Sequence, residues 1–569
     1  MTRITQRKRL LTSAIFLSGL FPIAAMAQLD IPSSAQVGQS ETSVERPNFG
    51  AVTTPQINVP EVRVDNAPDG AGNIMLTLNG INLEGISAYD VAELQQIWGD
   101  YIGQEISLND VYGFAQKITR KYRNDGYIIT QAIIPQQTID DGYVTIQVVE
   151  GFIDDVTLQD AKDTIASQRV LSLANNLTQE RPLTASALER WLLIVNDIPG
   201  MSARSIISPS ATTVGGADLT IIPTITPYNF SVNLDNYGSR YLGPLQASVA
   251  GQTNNLLGLA ETIQLQYVTD PDDDERAYGF ARYAMPINNY GTKIGLDYSH
   301  SDTVPGFELD IFDVNGRSDT FGVDLSHPII RSRTQNLTGS MRLDYRNLRS
   351  TNIIDTFTTQ DRVTSLRAGL DYNIFDNLWK PAINQASVTL SQGIKLFNVS
   401  ENGDANMTRA NGDPQYTKIE AELSRLQTLS QDFSIMTSVI GQLSNNPLLS
   451  SEEMGFGGRA YGRGYDSSEI VGDDGFGASI ELRWNPDYKV SYIQDYEVFG
   501  FYDFGKIWNQ ETDIDSLETQ SLASAGIGVR TDFTDAIKGE FIYAQPLTRN
   551  VDVYDNTHGR FKFNLGASF

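Results

Sequence analysis

A chain without a single cysteine has no thiolate to serve as nucleophile, redox centre or metal ligand, and no disulfide framework. Its three histidines, His300, His327 and His558, are scattered over separate segments without the spacing that lets imidazoles share a metal or activate a nucleophile. No Gly-rich loop followed by Lys-Ser/Thr is present to cradle a phosphate. The acidic run Asp270, Asp272, Asp273, Asp274 and Glu275 reads as a solvated loop tip, ahead of the alternative that it holds divalent cations bridging lipopolysaccharide. These residues imply no enzyme, no cofactor and no metal. What remains is electrostatic: in the Gly-rich stretch GRAYGRGYDSSE (458–469), Arg463 is flanked by Gly462 and Gly464 and followed by Tyr465. On spacing alone Arg463 is equally well a solvated loop charge.

The elements that must position such a loop are legible. From Tyr228 to Phe569 apolar and polar side chains alternate in segments of about ten residues, the pattern of a β-barrel with lipid outside and water inside. Phe230, Val232 and Leu234 interleave with Asn229, Ser231, Asn233 and Asp235; Phe561, Phe563, Leu565, Ala567 and Phe569 interleave with Lys562, Asn564, Gly566 and Ser568. The alternation predicts strands near 229–238, 245–254, 261–270, 275–287, 292–302, 318–330, 335–351, 361–376, 384–397, 414–429, 432–446, 475–486, 497–509, 520–534, 537–547 and 560–569. Long gaps (303–317, 352–360, 398–413, 447–474, 548–559) alternate with short ones (331–334, 430–431, 535–536), as outer loops and inner turns of such barrels do. An even strand count returns both barrel ends to the same side of the membrane.

Upstream, Arg3, Arg7, Lys8 and Arg9, an apolar run from Leu10 to Ile23 and Ala25-Met26-Ala27 read as a signal peptide, residues 1–27. Residues 28–72 read as an extended, largely disordered periplasmic linker. Residues 73–151 show a β-α-α-β-β pattern, with helices over 88–101 and 108–125 and strands over 127–134 and 143–149. A second copy occupies 152–226. The formal charge of −27 is opposite to a nucleic-acid binder's.

The runs Ile118 to Val156 (ITRKYRNDGYIITQAIIPQQTIDDGYVTIQVVEGFIDDV) and Ala187 to Ser210 (ALERWLLIVNDIPGMSARSIISPS) resemble the two POTRA domains of two-partner secretion transporters of the TpsB, or haemolysin-activator, type. Asp235 to Glu261 (DNYGSRYLGPLQASVAGQTNNLLGLAE) resembles the opening hairpin of that family's barrel. The resemblance implies an all-β transmembrane barrel of about 16 antiparallel strands, residues 227–569, preceded by two small α+β POTRA domains. It also implies that the long gap 447–474 folds into the lumen. There the family's Val-Arg-Gly-Tyr/Phe tip is matched by Arg463, Gly464 and Tyr465, with Gly462 in place of Val. Its wall partner, an aromatic-x-Asp-x-Gly motif, is matched by Phe501, Asp503 and Gly505. A guanidinium facing a carboxylate in a partly desolvated lumen forms a bidentate pair, and Gly464 is expected to supply the sharp turn. Otherwise Asp503 is an ordinary lumen residue.

The function this resemblance implies is translocation of a large secreted exoprotein (TpsA-like, with an N-terminal secretion domain) across the outer membrane of a Gram-negative bacterium, the POTRA domains lying in the periplasm. Docking by β-augmentation is expected on Tyr127, Ile128, Ile129, Thr130, Gln131 and Ala132 beside helix 108–121, although any one apolar residue there, such as Ile128 or Ile133, reads first as filling the domain core. Phe569 would be the signal read by the barrel assembly machinery, or a lipid-facing belt aromatic. Outer-membrane lipid and lipopolysaccharide are the surroundings, with no nucleic-acid partner. The alternatives are an insertase of the same superfamily and a passive porin-like channel.

Overall fold

The computed structural model describes residues 31–41, 44, 56–58, 66–159, 165–272, 275–352, 358–511 and 518–569; the expected leader lies outside them. Sixteen antiparallel strands close into one barrel. The first, Tyr228–Asp235, meets the sixteenth, Arg560–Ser568, in the register Ser231 to Ser568 through Asp235 to Asn564. Alternation does what it was expected to do: Phe230, Val232, Leu234, Leu265, Tyr267, Phe321 and Val323 are exposed on the outside, where hydrocarbon would cover them. Inward-facing Asp297, Asp344, Glu481 and Asp503 are buried. Every expected strand is present, and the sixth to eighth are long, Asn315–Arg331, Gln335–Thr351 and Thr358–Asp376.

The unit before the barrel pairs Gly80–Glu84 in parallel and Gln131–Ile133 antiparallel with a central Tyr143–Val149. Helix Leu108–Asn124 covers this sheet, and its start is fixed by a capping box between Ser107 and Asp110. Val111, Phe114, Ile118 and Tyr122 from one helix face pack on Val144, Ile146 and Val148. The first expected helix is reduced to Val91–Gln95 and a 3-10 turn at Gly99–Tyr101. The second unit has strand Phe152–Leu158, helices Ile165–Ala174 and Ala185–Asn196, and strands Met201–Pro209 and Gly216–Ile225.

This second unit sits on the short-turn end of the barrel. Asp197, in its Asn-Asp-Ile-Pro-Gly turn, takes two hydrogen bonds from Arg331 at 2.8 and 2.7 Å, and its carbonyl accepts from Lys293 Nζ at 2.7 Å. Arg190 donates to the carbonyl of Ile329, and Trp191 packs on Tyr290.

The linker reading fails for residues 31–41. They form a 3-10 turn, Ser33–Ala35, and a helical turn, Val37–Ser40, lodged inside the barrel. Ala35 packs with Tyr241 and Leu309, and Gln39 Nε2 donates to the Ser450 carbonyl at 2.7 Å. The segment is polar and shorter than two helical turns, so it shows no apolar period; lumen walls rich in hydrogen-bonding groups order it instead. Further on, Gln56–Asn58 adds a parallel strand to the second unit's sheet.

Candidate functional site: the pinned lumen loop

Residues 445–473, between the eleventh strand Phe433–Ser444 and the twelfth Asp474–Trp484, fold into the lumen. A small hairpin of Met454–Phe456 and Ile470–Gly472 builds the stem. Its Met454, Phe456 and Ile470 join Tyr461 and Tyr465 in packing on Ile507 and Leu522 of the wall.

At the tip, Arg463 is 5 % and Asp503 0 % exposed. Arg463 Nη2 donates to Asp503 Oδ1 at 2.8 Å, its Nε to Oδ2 at 2.9 Å, and its backbone N–H to Oδ2 at 3.0 Å. The guanidinium lies 3.6 Å from the centre of the Phe501 ring, so one face is covered by an aromatic while the edge is satisfied by carboxylates. Ser479 Oγ donates to Asp503 at 2.7 Å. Phe501 and Asp503 share the inner face of the thirteenth strand, Asp495–Trp508, two residues apart. On the same face a Cβ at Gly505 would come within 2.7 Å of Phe456, so glycine there admits the loop's stem.

Glu481 completes the site, and no sequence signal singled it out. Its Oε2 accepts from Arg463 Nη1 at 2.7 Å and its Oε1 from Arg530 and Arg483, each at 2.7 Å. Ser479, Glu481 and Arg483 alternate on one face of strand twelve, and which charges of that face meet those of other strands depends on strand stagger. The pair is therefore a network.

The turn is made differently from the expectation. Gly462 adopts φ +100°, and a Cβ there would lie 2.6 Å from Leu522 Cδ1. The replacement of Val by Gly thus belongs to a backbone that only glycine adopts without strain. At Gly464 φ is not positive; its need is close approach, since a Cβ would meet Pro546 N at 2.9 Å. Tyr465, wholly buried, places its hydroxyl 3.2 Å from the Ala523 carbonyl and 3.3 Å from that of Arg549.

The loop is also tied at its base and flanks. Arg409 binds Asp473 bidentately and meets Glu453 at 3.1 Å; Glu452 meets Arg367 at 2.7 Å and Lys418 at 3.0 Å. Arg459 meets Asp235 at 2.6 Å and Arg560 meets Asp466 at 2.7 Å. The described contacts of the N-terminal segment include Gln39 with Ser450 and Ser468, Ser33 with the Ser468 carbonyl, Ser239 with the Ser34 carbonyl, and Glu41 with Thr320 and, at 3.9 Å, Arg346. Between segment, loop and wall lies a cavity of about 860 Å³ lined by Glu41, Arg342, Arg346, Arg367, Gln442 and Tyr461. The adjoining wall carries alternating charges, with Arg282 on Asp324 at 2.7 Å and Arg342 on Asp297 at 2.7 Å.

The expected docking strand is shorter than foreseen, Gln131–Ile133. Tyr127 packs on Tyr122 and Tyr89, while Ile128 and Ile129 pack against the second unit's core. Thr130 and Ala132 are buried, and the Ala132 N–H is taken by Thr119 Oγ1 at 2.9 Å. Ile128 and Ile129 thus join the two units. Phe569 is 75 % exposed, and its N–H donates to the Phe230 carbonyl at 2.8 Å while its own carbonyl accepts from Phe230 N at 2.9 Å, lengthening the seam. Asp270 is buried and its Oδ1 accepts the Asp272 N–H, so the acidic run is not a free tip there; residues 273 and 274 lie outside the described ones. His300 sits between Asp302 and Asp319.

A closed sixteen-stranded barrel with a lipid-facing exterior, a hydrated charged interior and a pinned in-folded loop defines an outer-membrane transporter. Residues 219–531, more than half of the chain, match the family described as haemolysin secretion/activation protein ShlB/FhaC/HecB, and residues 76–151 match the ShlB-type POTRA domain. The chain belongs to that family and is an outer-membrane translocator of the two-partner secretion type. It is 27 % identical over 473 residues to the heme/hemopexin transporter protein HuxB of Haemophilus influenzae (strain 86-028NP), covering 81 % of this chain and 82 % of that one. It is 23 % identical to the outer membrane transporter CdiB of Escherichia coli O6:K15:H31, over 83 % and 79 %. The solved structure of CdiB from Escherichia coli shares the fold with a TM-score of 0.71 at 20 % identity, covering 90 % of this chain and 94 % of that one.

Proposed function

We propose that this translocator holds its loop fixed and clears its N-terminal segment to open a path for an unfolded exoprotein. Energetics favours that division of labour. Arg463 and Asp503 are buried and paired, so separating them leaves the Asp503 carboxylate uncompensated at a cost of roughly 3–5 kcal/mol. The loop is held besides by the buried ion pairs of Arg409 with Asp473 and of Glu452 with Arg367 and Lys418, whereas the described contacts of segment 31–41 are neutral hydrogen bonds of about 1 kcal/mol net each and one looser charge contact, Glu41 with Arg346 at 3.9 Å. The cheaper element to move is the segment, and its departure enlarges the cavity along Arg342, Arg346 and Arg367.

In this reading residues 1–27 are the leader, 73–151 and 152–226 are periplasmic POTRA domains, and 227–569 are the barrel in the outer membrane of a Gram-negative cell. The exposed aromatic and aliphatic belt contacts lipid and lipopolysaccharide. Phe569 serves as the assembly signal as well as a seam residue. The chain works without catalysis or cofactor; folding of the cargo outside the cell supplies the direction. The insertase and porin alternatives lack a reason for the match to the haemolysin secretion/activation family.

The single observation that carries the proposal is the buried Arg463–Asp503–Glu481 network. Co-expression with a candidate exoprotein that carries an N-terminal secretion domain tests the proposal: wild type should release that protein into the medium, and Arg463→Ala should insert normally yet release little. Undiminished release by Arg463→Ala would remove the loop from the mechanism.

A further inference from the structure

The seam that closes the barrel is a short ladder. Ser231 to Asp235 of the first strand pair with Ser568 to Asn564 of the sixteenth, five residue pairs, whereas the boundaries on either side, strand one with two and fifteen with sixteen, run over eight pairs each. Phe230 and Phe569 add two backbone hydrogen bonds at one end. At the other, Asn236 extends the ladder with its side chain: Nδ2 donates to the Phe561 carbonyl at 2.9 Å and Oδ1 accepts from Phe563 N at 2.7 Å. A closed barrel has no edge strand, and a seam that parts exposes two.

The in-folded loop reaches both strands of this seam. Arg459 meets Asp235 of strand one at 2.6 Å, and Asp466 meets Arg560 of strand sixteen at 2.7 Å. Asp235 is 4 % and Asp466 1 % exposed, so both carboxylates depend on these cations rather than on bulk water. The Arg459 guanidinium also lies 4.2 Å from the centre of the Tyr237 ring, and buried Lys562 of strand sixteen donates to the Asn236 carbonyl at 3.1 Å. Between the two arms stands Arg463, held by Asp503 and Glu481 on strands thirteen and twelve. A relay along the wall leads the same way: Arg530 donates to Glu481 at 2.7 Å and to Glu540 at 2.8 Å, and the Tyr237 hydroxyl donates to Glu540 at 3.1 Å.

We propose that Arg459 and Asp466 are the positioning residues that fasten the barrel seam, one arm on each edge strand. Their charges fix which arm takes which strand. Exchanged, Arg459 would face Arg560 and Asp466 would face Asp235, like against like. With its tip anchored on strands twelve and thirteen, the loop holds strands one and sixteen together from inside, where the ladder itself is short. A docked loop is therefore a condition for a closed wall between lumen and lipid. This gives the pinned loop a task that is the same with or without cargo, so the inference goes beyond the translocator reading and stands independently of it.

Deuterium uptake by purified full-length protein reads the seam directly. In Arg459→Ala/Asp466→Ala, peptides covering 231–235 and 564–568 should exchange at least tenfold faster than in wild type, while strand five, Lys293–Thr303, exchanges as before. A cross-link separates parting of the seam from a general loss of structure. Ser231 and Ser568 follow the hydrogen-bonded pair of Phe230 and Phe569, so they form a non-hydrogen-bonded rung, where side chains approach most closely. The chain has no other cysteine to compete. Added to the double variant, Ser231→Cys/Ser568→Cys should restore wild-type exchange at the seam when oxidised and lose it again on reduction. Unchanged exchange at the seam, equal acceleration in strand five, or no restoration by the cross-link would each overturn the fastening role.

Discussion

Replacing Asp503 by Asn keeps the shape of the side chain and removes its charge. Asp503 accepts three hydrogen bonds from Arg463 and one from Ser479. An amide accepts through one oxygen and turns an NH₂ toward the guanidinium. Breaking a buried pair in this way costs roughly 3–5 kcal/mol, and the lower end applies because Glu481 still holds Arg463 Nη1 at 2.7 Å. About 3 kcal/mol raises the undocked fraction of the loop by roughly 100-fold at 1.36 kcal/mol per factor of ten. Arg459 and Arg463 are trypsin sites that the docked loop buries in part or whole, and cleavage of a transiently open state tracks its population when reclosing is fast. Trypsin digestion of the purified barrel should therefore cut Asp503→Asn at these positions about 100-fold faster than wild type, with Asp535→Asn on an exposed turn as the control. Cleavage of Asp503→Asn at the wild-type rate would refute the reasoning, since the pair would then contribute nothing to docking.

Three other outcomes follow from the same geometry. Gly462→Val installs the residue the related motif carries, yet at φ +100° with Leu522 Cδ1 2.6 Å from the new Cβ it should weaken loop docking by about 1–3 kcal/mol, seen as faster cleavage at Arg459. Burial opposes ionisation of Glu150, but the Ser87 hydroxyl, the backbone N–H groups of Ser87 and Ala88 and the Tyr122 hydroxyl together hold its carboxyl below the ordinary range. A depressed folded pKa stabilises above the unfolded carboxylate value of about 4.3 and that stabilisation is lost as pH falls through the folded value. Hydrogen-exchange protection of Leu108–Asn124 should decline with acid in wild type and change less in Glu150→Gln. Asp197→Ala, which breaks the partly exposed pair with Arg331, should cost about 1 kcal/mol or less and broaden spin-label distances between the second unit and the 332–334 turn.

Strand number and facing were legible because period-two alternation is a local property: Phe230 or Leu565 declares its side regardless of partners. The Arg463–Asp503 pairing came from family resemblance, and nothing in the spacing of 463 and 503 could have supplied it. Glu481 escaped for the same reason, being visible as inward but not as the second acceptor. Residues 31–41 were illegible because short polar segments order on a polar wall without any apolar stripe of their own. The place of Ile128 and Ile129 between the two units was illegible because an apolar residue looks alike whether it lines a groove, fills a core or joins two units.

The central claim is that the loop stays while the N-terminal segment leaves, and two disulfide locks in this cysteine-free chain separate the two motions. A Cβ at Gly38 lies 3.3 Å from Ser450 Oγ, and one at Gly464 lies 3.0 Å from Ser524 Cβ, so both pairs reach disulfide range with an adjustment of about half an ångström. Exoprotein release, compared in each variant between its oxidised and reduced forms because a Cβ at Gly464 also meets Pro546 N at 2.9 Å, should stop on oxidation of Gly38→Cys/Ser450→Cys and be unchanged by oxidation of Gly464→Cys/Ser524→Cys. Release that continues with the segment locked, or stops with the loop locked, would contradict the account.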